Sequence, residues 1–291
     1  MRTEQEMYDL ILKVAREDER IRAVYLDGSR TNPNAPKDIF QDYDVVYVVC
    51  ETADFIKDRE WVSRMFGEIL YMQRPDEFPD ENTDITKCYG WLMQFADGNR
   101  LDLHVETTEF AKAGFFDDSL RKILLDKDGI LPEITESNDK NYWVKKPAFQ
   151  EYSGTCNEFW WCLNNIAKGL WRKELTYVQD MANHVVRPQL TKMLSWKIGL
   201  ATGWSAAVGK SGKYMCRFLP GEVWQEYLST WFSCDVNEAW EAMLLMCTMF
   251  ERTAKEVGEG LGYEYNRTEA KNSRMYFEHV RTLPEDAKEI Y

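Results

Sequence analysis

The chain opens on a helical pattern. Met7, Leu10, Ile11 and Val14 recur at three- and four-residue spacing on a charged background, which predicts an amphipathic helix. A short apolar run, Ile21-Arg22-Ala23-Val24-Tyr25-Leu26, reads as a strand ending at Asp27-Gly28-Ser29. The Asn- and Pro-rich stretch TNPNAPKDIFQ is a loop. Residues 42–49 are then β-branched and aromatic, apolar on both faces beyond Asp44, which suits a central strand. Over 52–72, Phe55, Val62, Met65, Phe66 and Ile69 predict a helix with one buried stripe. Asp97-Gly98-Asn99, between the apolar stretches 89–95 and 101–105, is the clearest hairpin signal. In its second arm Leu101, Leu103 and Val105 take one face, and Asp102, His104 and Glu106 the other.

Residues 126–147 turn loop-like, and a domain boundary is placed there, at 140. Beyond it the pattern is helical, with Phe159, Leu163, Ile166 and Leu170 in register and further helices over about 221–260. Nine of the eleven Trp fall at or after Trp143, which indicates an aromatic core rather than a cofactor box. The expected class is α+β: residues 1–140 with a mixed β-sheet and helices on one side, and a mostly α-helical domain over 141–291. A small ligand is expected between the two.

Charge narrows the partners. Residues 1–140 hold 18 Lys+Arg against 31 Asp+Glu, and residues 141–291 hold 18 against 18, so the whole net charge of −13 sits in the first part. Such a surface repels polyanions and attracts polycations, which argues against a nucleic-acid partner; the plainer consequence is solubility. The seven Cys are odd in number and lack CxxC spacing, against a disulfide framework or a zinc site. No stretch approaches 18 apolar residues and the N-terminus lacks an apolar signal region. The expectation is a cytoplasmic protein without a membrane span.

The candidate chemistry lies in three places. Asp42 and Asp44 are two apart on the expected strand, so the period of two turns both carboxylates to one face. Carboxylates that close repel unless a cation lies between them, and such an oxygen set suits Mg²⁺ beside substrate phosphates. A lone DxD is equally a polar strand start. Gly28-Ser29 at a strand end adds a backbone that a phosphate can approach, with a hydroxyl and an N–H to bind it, and Arg30 adds a cation. Asp102, on the polar face of the hairpin arm, can bring a third carboxylate.

A strand ending in Gly-Ser, a DxD strand and a later strand with one acid resemble the polymerase-β-like nucleotidyltransferase superfamily. The stretches DERIRAVYLDGSRTNPNAP, FQDYDVVYVV, FADGNRLDLHV, DKDG, GLWRKELTYVQDM and VGKSGKYMCRFLP are similar, nearly end to end, to the aminoglycoside 6-adenylyltransferases, which modify streptomycin. The resemblance implies a nucleotidyltransferase domain followed by a helical substrate- and nucleotide-binding domain. It implies Mg²⁺ and the ATP triphosphate on Asp42 and Asp44, with Asp102 as a further ligand or as the base for the acceptor hydroxyl, and Ser29 on the outer phosphates. An AMP unit would pass to a cationic aminoglycoside, conferring antibiotic resistance, with pyrophosphate released.

Gly209-Lys210-Ser211-Gly212-Lys213 is not a Walker loop, because its required first Gly falls at Trp204. Lys210 and Lys213 are instead implied as phosphate partners, against the plainer reading of a solvated loop. Trp171, Glu174, Tyr177 and Asp180 are candidates for the acceptor, whose guanidinium groups suit carboxylates and aromatic faces. Trp171, Glu174 and Tyr177 are expected on one helical face. The competing readings are another acceptor, such as a lincosamide or a protein hydroxyl, and a non-catalytic binding module of the same fold. The presence of all three acids disfavours the latter.

Overall fold

The structure, a computed structural model, describes residues 1–78, 84–134 and 136–291. Thr135, inside the loop expected over 126–147, lies outside the described residues. The chain divides into two compact units, Met1–Asn141 and Tyr142–Tyr291.

The first unit is built on a mixed six-stranded sheet. Helix α1 (Glu4–Glu17) starts at a capping box formed by Thr3 and Glu6 and buries Met7, Ile11, Val14 and Ala15. Strands β1 (Ile21–Asp27) and β2 (Tyr43–Val49) follow, then helices α2 (Ala53–Lys57) and α3 (Trp61–Phe66) and strand β3 (Ile69–Gln73). The hairpin β4 (Cys88–Phe95) and β5 (Arg100–Thr107), helix α4 (Thr108–Ala113) and strand β6 (Lys122–Asp126) complete it. The order across the sheet is β3-β4-β5-β2-β1-β6. Among the described residues only β2 and β5 pair in parallel; the other neighbours are antiparallel.

Two expectations need correction. The single helix over 52–72 is two short helices and an edge strand. Gly67 ends α3 at φ +99°, beyond which Ile69 joins β3. Nor do the helices keep to one side. Tyr43, Val45, Tyr47 and Val49 pack with Met7, Phe55, Trp61 and Phe66 on one face, while Val46 and Val48 pack with Ala111 of α4 and Phe115 on the other. Strand alternation in β2 therefore supplies two cores.

The second unit is helical: α5 (Phe149–Trp171), α6 (Leu175–Met181), α7 (Arg187–Ala201), α8 (Gly221–Leu228), α9 (Val236–Leu261) and α10 (Arg267–Thr282). A π-helical turn, Ala182–Val186, joins α6 to α7. Phe159 of α5 and Phe250 of α9 stack at 3.7 Å between centroids, at the centre of a core that includes Leu163, Ile166 and Leu170. Trp160, Trp196 and Trp240 are buried in that core, with Trp171, Trp204 and Trp224 packed against it, whereas Trp161 and Trp231 are exposed. Among the described residues no helix is long and apolar enough to cross a membrane.

Candidate active site

Register builds the site. Asp27 is opposite Asp44 in the β1–β2 ladder, and Asp44 is opposite Asp102 in the β2–β5 ladder. Three carboxylates thus form a row across adjacent strands. Asp42 stands just before β2, two residues from Asp44, and Tyr43 turns to the opposite face, edge-on to Tyr8 of α1 at 5.7 Å. One ligand oxygen each of Asp42, Asp44 and Asp102 falls within 4.8 Å of the others. The hairpin phase accounts for the third member: Arg100 and Gln94 pair beside the turn, and Gly98 takes φ +92° there.

The turn after β1 presses on this row. Gly28 has φ +72°, and a Cβ on it would lie 2.1 Å from Oδ2 of Asp44. No other residue permits both the conformation and the approach. Ser29 follows in a 3₁₀ turn, Gly28–Thr31, and its Oγ is buried without a hydrogen-bond partner. A buried hydroxyl left unpaired costs about 1–3 kcal/mol.

Arg30 is employed differently from the expectation. Its Nε donates to the Asp42 carbonyl at 2.8 Å and its Nη2 to the Gln41 carbonyl at 2.7 Å. The guanidinium lies 3.6 Å from the Tyr43 ring centroid, and the side chain is 9% exposed. It fixes the approach to β2, and so the placement of Asp42, with Nε and Nη2 on the backbone and Nη1 3.5 Å from Glu4 Oε1.

Burial pushes the Asp44 carboxyl up to about 7; Asp42, Asp102 and Asp27 add to the rise and Arg100 opposes it. Burial likewise lifts Asp27 to about 6, opposed by Arg121, whose Nε is 3.0 Å from Asp27 Oδ1. Arg100 Nε and Nη2 fork across Asp102 at 2.9 and 2.5 Å, and Nε is 3.8 Å from Asp42 Oδ2. Sequence reasoning passed over Asp27, Arg100 and Arg121. The position of Arg100, two residues before Asp102 on the same strand face, was the available signal.

The remaining candidates lie in the second unit. Lys210 and Lys213 are exposed on a loop where Gly209, Ser211 and Gly212 all have positive φ. Ser211 and Gly212 line a cavity of about 530 Å³ with Arg187, Lys192 and Tyr227. Arg187, also passed over, is buried; burial lowers its guanidinium to about 10, and it donates to Asn183 and to the Thr230 carbonyl.

The shared helical face expected for Trp171, Glu174 and Tyr177 does not exist. Helix α5 ends at Trp171, Lys173 turns left-handed at φ 60°, and α6 begins after Glu174. Trp171 Nε1 donates to the Pro284 carbonyl at 3.3 Å, so the indole secures the C-terminal segment. Glu174, Tyr177 and Asp180 are exposed, with Asp180 3.9 Å from His184.

The streptomycin adenylyltransferase family matches residues 1–280. An aminoglycoside 6-adenylyltransferase of Bacillus subtilis is 39% identical over 266 residues, 91% of this chain and 93% of the relative. One of Campylobacter jejuni is 37% identical over 268 residues, 91% of each chain. One of Staphylococcus aureus is 34% identical over 266 residues, 91% of this chain and 94% of the relative. The crystal structure of an aminoglycoside 6-adenyltransferase from Bacillus subtilis covers 97% of this chain and 100% of its own at 33% identity, with a TM-score of 0.49. With a clustered acid triad beside a Gly-Ser turn, the protein is an enzyme of the nucleotidyltransferase class. It belongs to the streptomycin adenylyltransferase family.

Proposed function

We propose that the protein transfers the adenylyl group of ATP to a hydroxyl of a cationic, streptomycin-like aminoglycoside, with pyrophosphate released. The observation that carries this reading is the convergence of Asp42, Asp44 and Asp102 within 4.8 Å, against the Gly28 turn that also carries the unpartnered Ser29 hydroxyl. The donor set fits Mg²⁺, a hard cation that takes carboxylate oxygens. Burial, with Asp42, Asp102 and Asp27 nearby, pushes the Asp44 carboxyl up, and a bound cation would oppose that rise. Asp42 and Asp44 would hold the ion, which when bound supplies charge neutralisation at the phosphoryl oxygens. Ser29 offers its hydroxyl to a phosphate, and Gly28 keeps the backbone clear for it. Asp102 serves as a third ligand or as the group that takes the acceptor hydroxyl's proton. Exposed Lys210 and Lys213 are further phosphate partners in this reading.

The acceptor assignment rests on the relatives' names and on charge: the acid excess of residues 1–140 attracts a polycation. Glu174, Tyr177 and Asp180 remain candidates for its cationic groups. The test is to incubate the full chain with Mg²⁺, ATP labelled at the α-phosphate, and separate acceptors. Label should move to an aminoglycoside, with acceptor-dependent pyrophosphate release, and Asp42→Asn should abolish both. Turnover with no aminoglycoside overturns the acceptor; most activity surviving in Asp42→Asn overturns the metal assignment.

A further inference from the structure

Arg100 is a cation already directed into the carboxylate cluster. It begins β5 and shares a strand face with Asp102. Its fork engages both oxygens of Asp102, at 2.9 and 2.5 Å, and its Nε lies 3.8 Å from Asp42 Oδ2. It therefore reaches two of the three residues whose ligand atoms converge. The Asp102 side chain is 11% exposed and that of Arg100 48%, so the guanidinium approaches from the solvent side and can withdraw without disturbing the sheet. Arg30 and Arg121, the other arginines near the row, are 9% and 13% exposed and anchored to backbone carbonyls. A planar guanidinium that forks a carboxylate holds it in a fixed geometry.

We propose that Arg100 competes with the divalent cation for the carboxylate cluster: the fork and the metal draw on the same oxygens, so each weakens the other, and metal binding releases Arg100 from Asp102. This rests on the reading that Asp42, Asp44 and Asp102 hold a divalent cation. Two like charges a few ångströms apart repel, and a carboxylate already neutralised by a guanidinium attracts a second cation less. Arg100 is thus a positioning residue. It keeps the row from mutual repulsion until the metal arrives, and it sets the metal's affinity through Asp102.

The experiment uses the full chain without nucleotide, with Mn²⁺ alone as the probe, and free Mn²⁺ followed by electron paramagnetic resonance. Arg100→Met should bind Mn²⁺ at least fivefold more tightly than the unaltered protein. Arg100→Lys, which keeps the charge and loses the fork, should fall between them. In EDTA, Arg100→Met should melt at a lower temperature, and saturating Mn²⁺ should erase the difference. A purely structural role would leave that deficit in place with metal bound. Unchanged or weaker Mn²⁺ binding in both variants, with the unaltered protein binding normally, overturns the competition alone. No Mn²⁺ binding by any of the three proteins overturns the metal reading itself, and the competition with it.

Discussion

Replacing Gly28 by alanine isolates the contact between the turn after β1 and Asp44. The added Cβ would lie 2.1 Å from Asp44 Oδ2, and ordinary contact begins at 3.4 Å, so the carboxylate or the turn must move by about 1.3 Å. The backbone conformation, φ +72°, separately costs an L-residue about 1–2 kcal/mol. Gly98→Ala is the control: its φ is +92° and nothing lies within 4 Å of its Cβ. Gly98→Ala should lose about 3–8 °C in melting temperature, and Gly28→Ala at least as much, because the displacement adds to the backbone strain. Only Gly28→Ala should lose catalysis, by about 10²-fold in kcat, the scale of a 1 Å misplacement of a reacting group. The assay is steady-state pyrophosphate release beside thermal melts of both proteins. Equal activity in the two variants would refute the argument that Gly28 exists to admit the Asp44 carboxylate.

Two other expectations concern pH. Burial holds Asp44 at about 7, against a usual value near 4. Its ionisation therefore opposes folding increasingly as pH rises from about 4 to about 7. In EDTA at pH 8, Asp44→Asn should be more stable than the unaltered protein, by about 2–4 kcal/mol with allowance for screening. The advantage should vanish below pH 4, and a pH-independent difference would contradict it. Asp97 has the opposite sign. Burial pushes it up, but hydrogen bonds from Arg2 and Asn99 outweigh this and hold it well below the usual range. Its contribution should be fully present above about pH 4 and lost as pH falls further. Melts of Asp97→Asn should accordingly show a deficit at pH 7 that narrows below pH 4.

Much of the candidate site's layout was legible because it depends on strand parity. Two residues apart on a strand share a face, so Asp42 with Asp44 and the polar arm at Asp102 could be read directly. The pairing between β2 and β5 could not, since a parallel ladder joins segments far apart in sequence. Strand β6 escaped notice because it is a sheet edge of intermediate burial with Lys122 and Asp126 at its ends, and its apolar signal is short. The helix expected over 52–72 failed at Gly67, where a left-handed residue outweighed the periodic stripe. The Trp171–Tyr177 face failed for a similar reason at Lys173, whose positive φ nothing in the residue type announces. Arg30 shows a further limit: residue type gave the charge, while only the fold shows its donors engaged by the Gln41 and Asp42 carbonyls and by Glu4.

The most direct test of the central claim is product analysis by mass spectrometry after incubating the protein with Mg²⁺, ATP and streptomycin. The account predicts streptomycin carrying one added adenylyl group, formed with one pyrophosphate per product and absent with Asp42→Asn. Streptomycin recovered unmodified, with ATP intact and the protein folded, would contradict it.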